Sequence, residues 1–310
     1  MKIVCDRHIP FLVEAVREAW PDVTICPMES EQIDATSLRD ADVLVVRTRT
    51  SVNSTLLTDT SVRLVCTATI GYDHIDTAWC EAHGIRWMAC PGCNAQAVCD
   101  YIEEVLNELQ VAPTATIGIV GVGHVGSLVA KMAKRKGLRV LLNDPPKSIG
   151  VSLDEIAKSC DIVTFHVPLD SSTYHLCDAD FLAKTKPGTL IINAARGGVV
   201  DEQALMDSGR PFVLDTWENE PHINPIVLNQ AQLASMHIAG YSLQGKQNAT
   251  QMCLDSIAQQ FRLPPITLSN RMQTVCNTGD CAPGWVERIS TTLKAHPDRF
   301  EELRQNYPLR

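Results

Sequence analysis

The stretch Thr116-Ile117-Gly118-Ile119-Val120-Gly121-Val122-Gly123-His124-Val125-Gly126 decides the fold. An apolar strand runs straight into three glycines at G-x-G-x-x-G spacing, and the helical run from Ser127 to Lys136 follows. Bare glycine spacing is a weak signal, but a preceding strand and a following helix give it a mechanism. The glycines permit a tight turn and close approach of backbone to a pyrophosphate, whose charge meets the helix N-terminus. The next apolar run, Arg139 to Asn143, ends in Asp144, a carboxylate placed to accept hydrogen bonds from an adenosine ribose and to repel a 2′-phosphate. The loop Gly121, Gly123, His124, Val125 and Gly126, with Asp144, therefore predicts an NAD site in preference to NADP.

Outward from this unit, short apolar runs recur at 139–143, 161–165, 189–193 and 212–214, separated by helix-length intervals, as in a doubly wound domain. A similar series precedes it, at Ile3-Val4, Val23 to Cys26, Val43 to Val46 and Leu64 to Cys66. None of these runs alternates with period two, the mark of strands covered by helices on both faces. The expected architecture is α/β, with two doubly wound parallel-sheet domains. A first substrate-domain segment spans 1–92 and an NAD-binding Rossmann domain spans 93–240. Residues 241–310 hold a returning helix and a short tail with helical charge patterning over 285–306.

Composition narrows the partners. Lys and Arg number 27 against 36 Asp and Glu, a net charge of −9, so general attraction to nucleic acid or an anionic membrane is not expected. With 45% hydrophobic and 20% charged residues the chain reads as an ordinary folded protein. No stretch is apolar for the length of a bilayer, and no export signal is visible at the amino terminus, so a cytoplasmic location is expected. The 12 cysteines are scattered, many inside apolar runs, and read as buried reduced thiols. Cys90-Pro91-Gly92-Cys93 has redox or zinc spacing, but no second pair follows and Pro-Gly marks a turn. No metal is expected, at Cys276 and Cys281 or elsewhere.

Three strand ends carry the chemistry. Thr189 to Asn193 delivers Arg196, Phe212 to Leu214 delivers the acidic run Asp215 to Glu220, and Ala234 to Met236 delivers His237. Taken alone, Arg196 reads as a solvated or salt-bridging arginine and His237 as a packed or capping histidine. Together at one sheet edge, they are what hydride transfer from a 2-hydroxy acid needs. A cation orients the substrate carboxylate, an imidazole takes the hydroxyl proton, and a carboxylate stabilises the imidazolium.

With Asn193 to Gly198, Glu220-Pro221, His237 to Gly240 and the glycine turn quoted, the sequence resembles the D-isomer-specific 2-hydroxyacid dehydrogenases over almost its whole length. The stretches Val45 to Thr48, Thr67 to Asp76, Pro91 to Ala95, Asn143 to Pro146, Asp215 to Glu218 and His237 to Tyr241 are most similar to a branch acting on a phosphorylated hydroxy acid. The resemblance implies Arg196, Glu220 and His237 as catalytic residues. It also implies Thr48, Thr69 and Tyr241 as substrate contacts, and Asp144, Val167, Asp215 and Gly240 lining the cofactor. Val167 stands where a threonine is common, so its backbone is the part expected to act. Arg47 and Arg49 flank Thr48, and one of them is inferred to meet the substrate phosphate, since a chain of net charge −9 needs a local cation for a dianion. His74 and Asp76 resemble a structural turn. A homodimer is implied, with its contact expected to be reduced or rebuilt because the family's carboxyl-terminal dimerisation region is longer. The competing readings are another small or phosphorylated 2-hydroxyacid dehydrogenase, such as one for 3-phosphoglycerate, and an NAD(H)-sensing binding protein like the corepressors built on this fold.

Overall fold

The computed structural model describes residues 1–268 and 282–308; Cys276 and Cys281 lie outside them. The chain forms two compact units, Met1–Asn94 with residues 242–268, and Ala95–Tyr241 with residues 282–308.

The first unit holds strands β1 (Lys2–Asp6), β2 (Thr24–Met28), β3 (Val43–Val46), β4 (Leu64–Thr67) and β5 (Arg86–Met88). They pair all-parallel in the order β2-β1-β3-β4-β5. The unbroken apolar runs now have their explanation, because alternate residues of each strand enter different cores. Ile3, Cys5, Val43, Val45, Leu64 and Cys66 pack with helices Leu12–Ala19 and Leu243–Phe261. Val4, Leu44, Val46 and Val65 pack on the other face with Leu38, Leu56, Leu57 and Cys80 from three short helices. Strand β5 carries no such apolar run: it is short, edge-placed and only half-buried.

The second unit holds β6 (Thr116–Val120), β7 (Arg139–Asp144), β8 (Ile149–Gly150), β9 (Ile162–Phe165), β10 (Leu190–Asn193), β11 (Phe212–Leu214) and β12 (Leu233–Ala234). Their order is β12-β11-β10-β9-β6-β7-β8, parallel except for β8, which is antiparallel to β7. Successive strands run outward from β6 through β7 to β8, then return to β9 on the opposite side of β6. The order therefore reverses between β6 and β9, and the carboxyl ends there are where ligands bind in open α/β sheets.

The tail belongs to this unit. Charge patterning suggested helix throughout 285–306, but the structure has helix Trp285–Ala295, a tight turn at Pro297–Arg299 and helix Phe300–Gln305. Pro297 explains the break, since it lacks the N–H and its ring collides with the preceding turn. Glu104 and Glu108 accept hydrogen bonds from the Gly284 and Val286 N–H groups at 2.7 and 2.8 Å, satisfying the start of the first tail helix. Its buried face, Val286, Ile289 and Leu293, joins the core, as does Phe300.

Candidate active site

At the β6 turn each glycine has a separate steric reason. Gly121 has φ +88°, and a Cβ there would lie 2.5 Å from the His166 carbonyl oxygen, at the end of β9. A Cβ on Gly126 would lie 1.9 Å from the Gly121 oxygen. Around Gly123 the space is open: the nearest group is the Lys147 ammonium, 3.9 Å away. Gly123 also caps helix His124–Arg135 without a side chain, so its first N–H groups receive no side-chain cap. That cradle suits a pyrophosphate. Asp144 Oδ2 accepts the Val122 N–H at 2.8 Å and lies 3.3 Å from Lys147 Nζ, which fixes the carboxylate beside the turn. The residues present fit a dinucleotide.

The second cluster sits where β10, β11 and β12 end. A cleft of about 450 Å³ is lined by Arg196, Glu220 and His237 together with Tyr174, His175 and Glu218. Asn193 orders the Arg196 segment, its Nδ2 donating to the Arg196 carbonyl at 2.8 Å and its Oδ1 accepting from Ala195 N–H. His237 Nδ1 lies 2.8 Å from Glu220 Oε2, while Glu220 Oε1 accepts the Trp217 N–H at 2.9 Å. The carboxylate is thereby held on both oxygens. The Nδ1 contact assigns that ring nitrogen its proton and leaves Nε2 as the acceptor, with no hydrogen-bond partner among the described residues.

The three groups that sequence placed at one sheet edge thus line one cleft, and two of them touch. A model of the D-isomer specific 2-hydroxyacid dehydrogenase NAD-binding domain matches residues 103–239. An erythronate-4-phosphate dehydrogenase of Bacteroides fragilis (strain YCH46) is 40% identical, the match covering 100% of this chain and 97% of that protein. The chain belongs to the D-isomer-specific 2-hydroxyacid dehydrogenase family. A Coxiella burnetii (strain RSA 331 / Henzerling II) protein of the same name is 36% identical over 100% of this chain and 93% of its own length. Among solved structures, the NAD+-bound 3-phosphoglycerate dehydrogenase of Entamoeba histolytica has a TM-score of 0.70 at 22% identity, covering 84% of this chain and 95% of that one. The two-sheet architecture is that of this family, and its NAD-binding domain is the one that carries the glycine turn.

Behind the dehydrogenase cleft, the turn bearing His237 is clamped. His237 has φ +57° and its N–H bonds the Asp215 carbonyl at 2.8 Å. The Asp215 carboxylate, fully buried, accepts the Ile238 N–H at 2.8 Å, the Ala239 N–H at 3.0 Å and the Ser235 hydroxyl at 2.6 Å. Burial pushes the Asp215 carboxyl up, against the opposing pull of His237 and these donors. Its carboxylate is committed to holding the loop that also contains Gly240 and Tyr241. Ser235 Oγ in turn sits 2.9 Å from the Tyr101 hydroxyl. Neither Tyr101 nor Ser235 carries a motif, so no spacing rule finds them.

A second carboxylate group supports the acidic loop. Glu202, buried, accepts the Glu218 N–H at 2.7 Å. Burial, with Glu218, Glu220 and Asp201 nearby, pushes its carboxyl up to about 7. His175 lies between Glu218 at 2.5 Å and Asp201 at 3.5 Å. Gly197 is required beneath this loop, because a Cβ would lie 1.9 Å from the Trp217 oxygen. Val167 lies against the glycine turn, where its side chain would meet a Cβ on Gly121 at 2.8 Å.

The first unit places the remaining predicted contacts. Arg47 Nε and Nη2 grip Asp6 at 2.8 and 3.2 Å, so one edge of its five-donor fork is already engaged. Burial opposes ionisation of Asp6, but the Arg47, His8 and Ser30 bonds prevail and its carboxyl falls below the usual range. Thr48 and Arg49 lie just beyond the buried strand β3 and are exposed. Thr69 Oγ1 donates to the Gly71 carbonyl at 2.9 Å and lies 2.6 Å from Thr67 Oγ1, which His74 Nε2 approaches at 3.1 Å. Asp76 caps helix Thr77–Ala82 by accepting the Trp79 N–H. Cys90 Sγ lies 3.8 Å from Cys253 Sγ and donates to backbone oxygens, while burial pushes the Cys93 thiol up to about 12. Such thiols are poor nucleophiles at neutral pH. All ten described cysteines are free.

Proposed function

We propose that this chain oxidises 4-phospho-D-erythronate at C2 with NAD, giving 2-oxo-3-hydroxy-4-phosphobutanoate, NADH and a proton, a step in vitamin B6 synthesis. The observation that carries the reading is the Glu220–His237 contact of 2.8 Å in a cleft shared with Arg196, in a chain 40% identical to an erythronate-4-phosphate dehydrogenase along its length. Arg196 pairs with the substrate carboxylate through its planar fork of donors. His237 Nε2 accepts the C2 hydroxyl proton, and Glu220 stabilises the imidazolium that results. NAD, when bound, accepts the C2 hydride at its nicotinamide. Gly121, Gly123, His124, Val125 and Gly126 receive the pyrophosphate, Asp144 meets the adenosine ribose, and the Val167 backbone, Asp215 and Gly240 complete the cofactor's surroundings.

The first unit serves as the substrate domain. Thr48, Thr69 and Tyr241 contact substrate, and Arg47 meets its phosphate. Arg47 does so as a guanidinium already oriented by Asp6. The protein acts as a cytoplasmic homodimer.

The test is absorbance at the NADH band with NAD and 4-phospho-D-erythronate, run beside 3-phosphoglycerate and unphosphorylated 2-hydroxy acids. The phosphorylated four-carbon acid is expected to give the highest kcat/KM. Preference for 3-phosphoglycerate would move the chain to another branch of the family. Absence of NADH with every acid, alongside intact NAD binding, would overturn the enzymatic reading in favour of a sensor.

A further inference from the structure

Glu220 Oε2, the oxygen that meets His237, faces a second charged group that no motif announces. Arg304, on the tail helix Phe300–Gln305, brings Nη1 to 3.8 Å from this oxygen. The other end of the guanidinium is tied to Glu301, one turn earlier, with Nη2 to Oε2 at 2.6 Å. At 3.8 Å the contact with Glu220 is too long for a hydrogen bond and acts through charge. The side chains are 31% and 19% exposed, so water screens the pair incompletely.

We propose that Arg304 is a positioning residue that acts through Glu220 on His237, drawing the carboxylate from the tail side and disfavouring the imidazolium. This rests on the role given above to the Glu220–His237 pair. A single carboxylate oxygen faces two cations whenever His237 is protonated. Arg304 is permanently charged, so formation of the imidazolium beside Glu220 meets its repulsion.

Other charges act on the same pair. Arg196 lines the cleft and Asp215 lies behind the His237 turn, while Glu202 and Glu218 stand beneath the Glu220 loop, Glu218 in contact with His175. Glu301 partly offsets Arg304. Arg304→Gln leaves the identity of all these groups unchanged and releases only Glu301 from its partner, and the Glu301→Gln variant accounts for that release.

The experiment compares wild type, Arg304→Gln, Arg304→Lys and Glu301→Gln, all full length, with thermal melts to verify folding. Two curves are recorded for each: kcat/KM against pH for oxidation, and the NMR titration of the His237 ring protons. Loss of the positive charge is expected to move the acidic limb and the ring-proton curve to higher pH by roughly half a pH unit. Arg304→Lys is expected to restore both. Glu301→Gln is expected to move them the opposite way, because it removes the offsetting negative charge. A purely structural Arg304 would lower the melting temperature and leave both curves in place, which would overturn the proposal. Should Arg304→Gln fail to fold, Glu301→Gln decides alone: a downward shift supports the proposal and no shift overturns it. If the ring-proton shifts occur but no hydroxy acid yields NADH, the functional reading fails and the charge coupling stands.

Discussion

Glu220 makes two different contacts with its two oxygens, and this division allows its roles to be separated by one substitution. Glu220→Gln keeps an oxygen for the Trp217 N–H but offers His237 no negative charge. Turnover is expected to fall by ~10- to 100-fold through the weaker support of the imidazolium, with little change in melting temperature. Steady-state kinetics beside calorimetry checks this, and a large stability loss at unchanged kcat would show the residue to be structural. Asp144 makes a comparable prediction on the cofactor side. It is fixed beside the glycine turn by the Val122 N–H, so Asp144→Ala should weaken NAD binding by ~10-fold and narrow the preference over NADP. Fluorescence titration with NADH and NADPH reads both effects.

The loop from Trp217 to Glu220 is held by the segments beneath it, and it is sensitive where backbone meets backbone. Gly197→Ala puts a Cβ into the Trp217 carbonyl, so the loop or the Arg196 segment must shift. The expected cost is ~1–3 kcal/mol in stability, with activity lost alongside it. Glu202 supports the same loop with a carboxyl whose pKa is pushed up to about 7, from the ordinary 4.5 of a free glutamate. Between those values the folded chain keeps a proton that the unfolded chain releases. This group therefore costs stability as pH rises through the interval, with the cost complete above it. Glu202→Gln removes the titration while keeping an acceptor for the Glu218 N–H. The variant should be more stable than wild type by about 3 kcal/mol at alkaline pH, the gap closing towards acidic pH. Denaturant melts across pH measure it, and a gap independent of pH would contradict the assignment.

Strands such as Val43–Val46 were legible in the sequence because both faces are covered, which writes an unbroken apolar run. Strands β5, β8 and β12 were not, or only by their ends, because edge position and a length of two or three residues leave no periodicity to read. Gly121, Gly126 and Asp144 were legible because the turn's geometry admits few residue types. Ser235, Tyr101 and Arg304 were not, because their roles arise from packing between segments distant in the chain, and serine, tyrosine and arginine there look like any others. The central claim joins the legible parts: Arg196, Glu220 and His237 serve one oxidation at one cleft. Single-turnover NADH formation from 4-phospho-D-erythronate, wild type against His237→Ala with NAD binding matched by titration, tests it most directly. The account predicts a burst of NADH in wild type and a rate ~10²–10⁴-fold lower in the variant; equal rates in the two would contradict it.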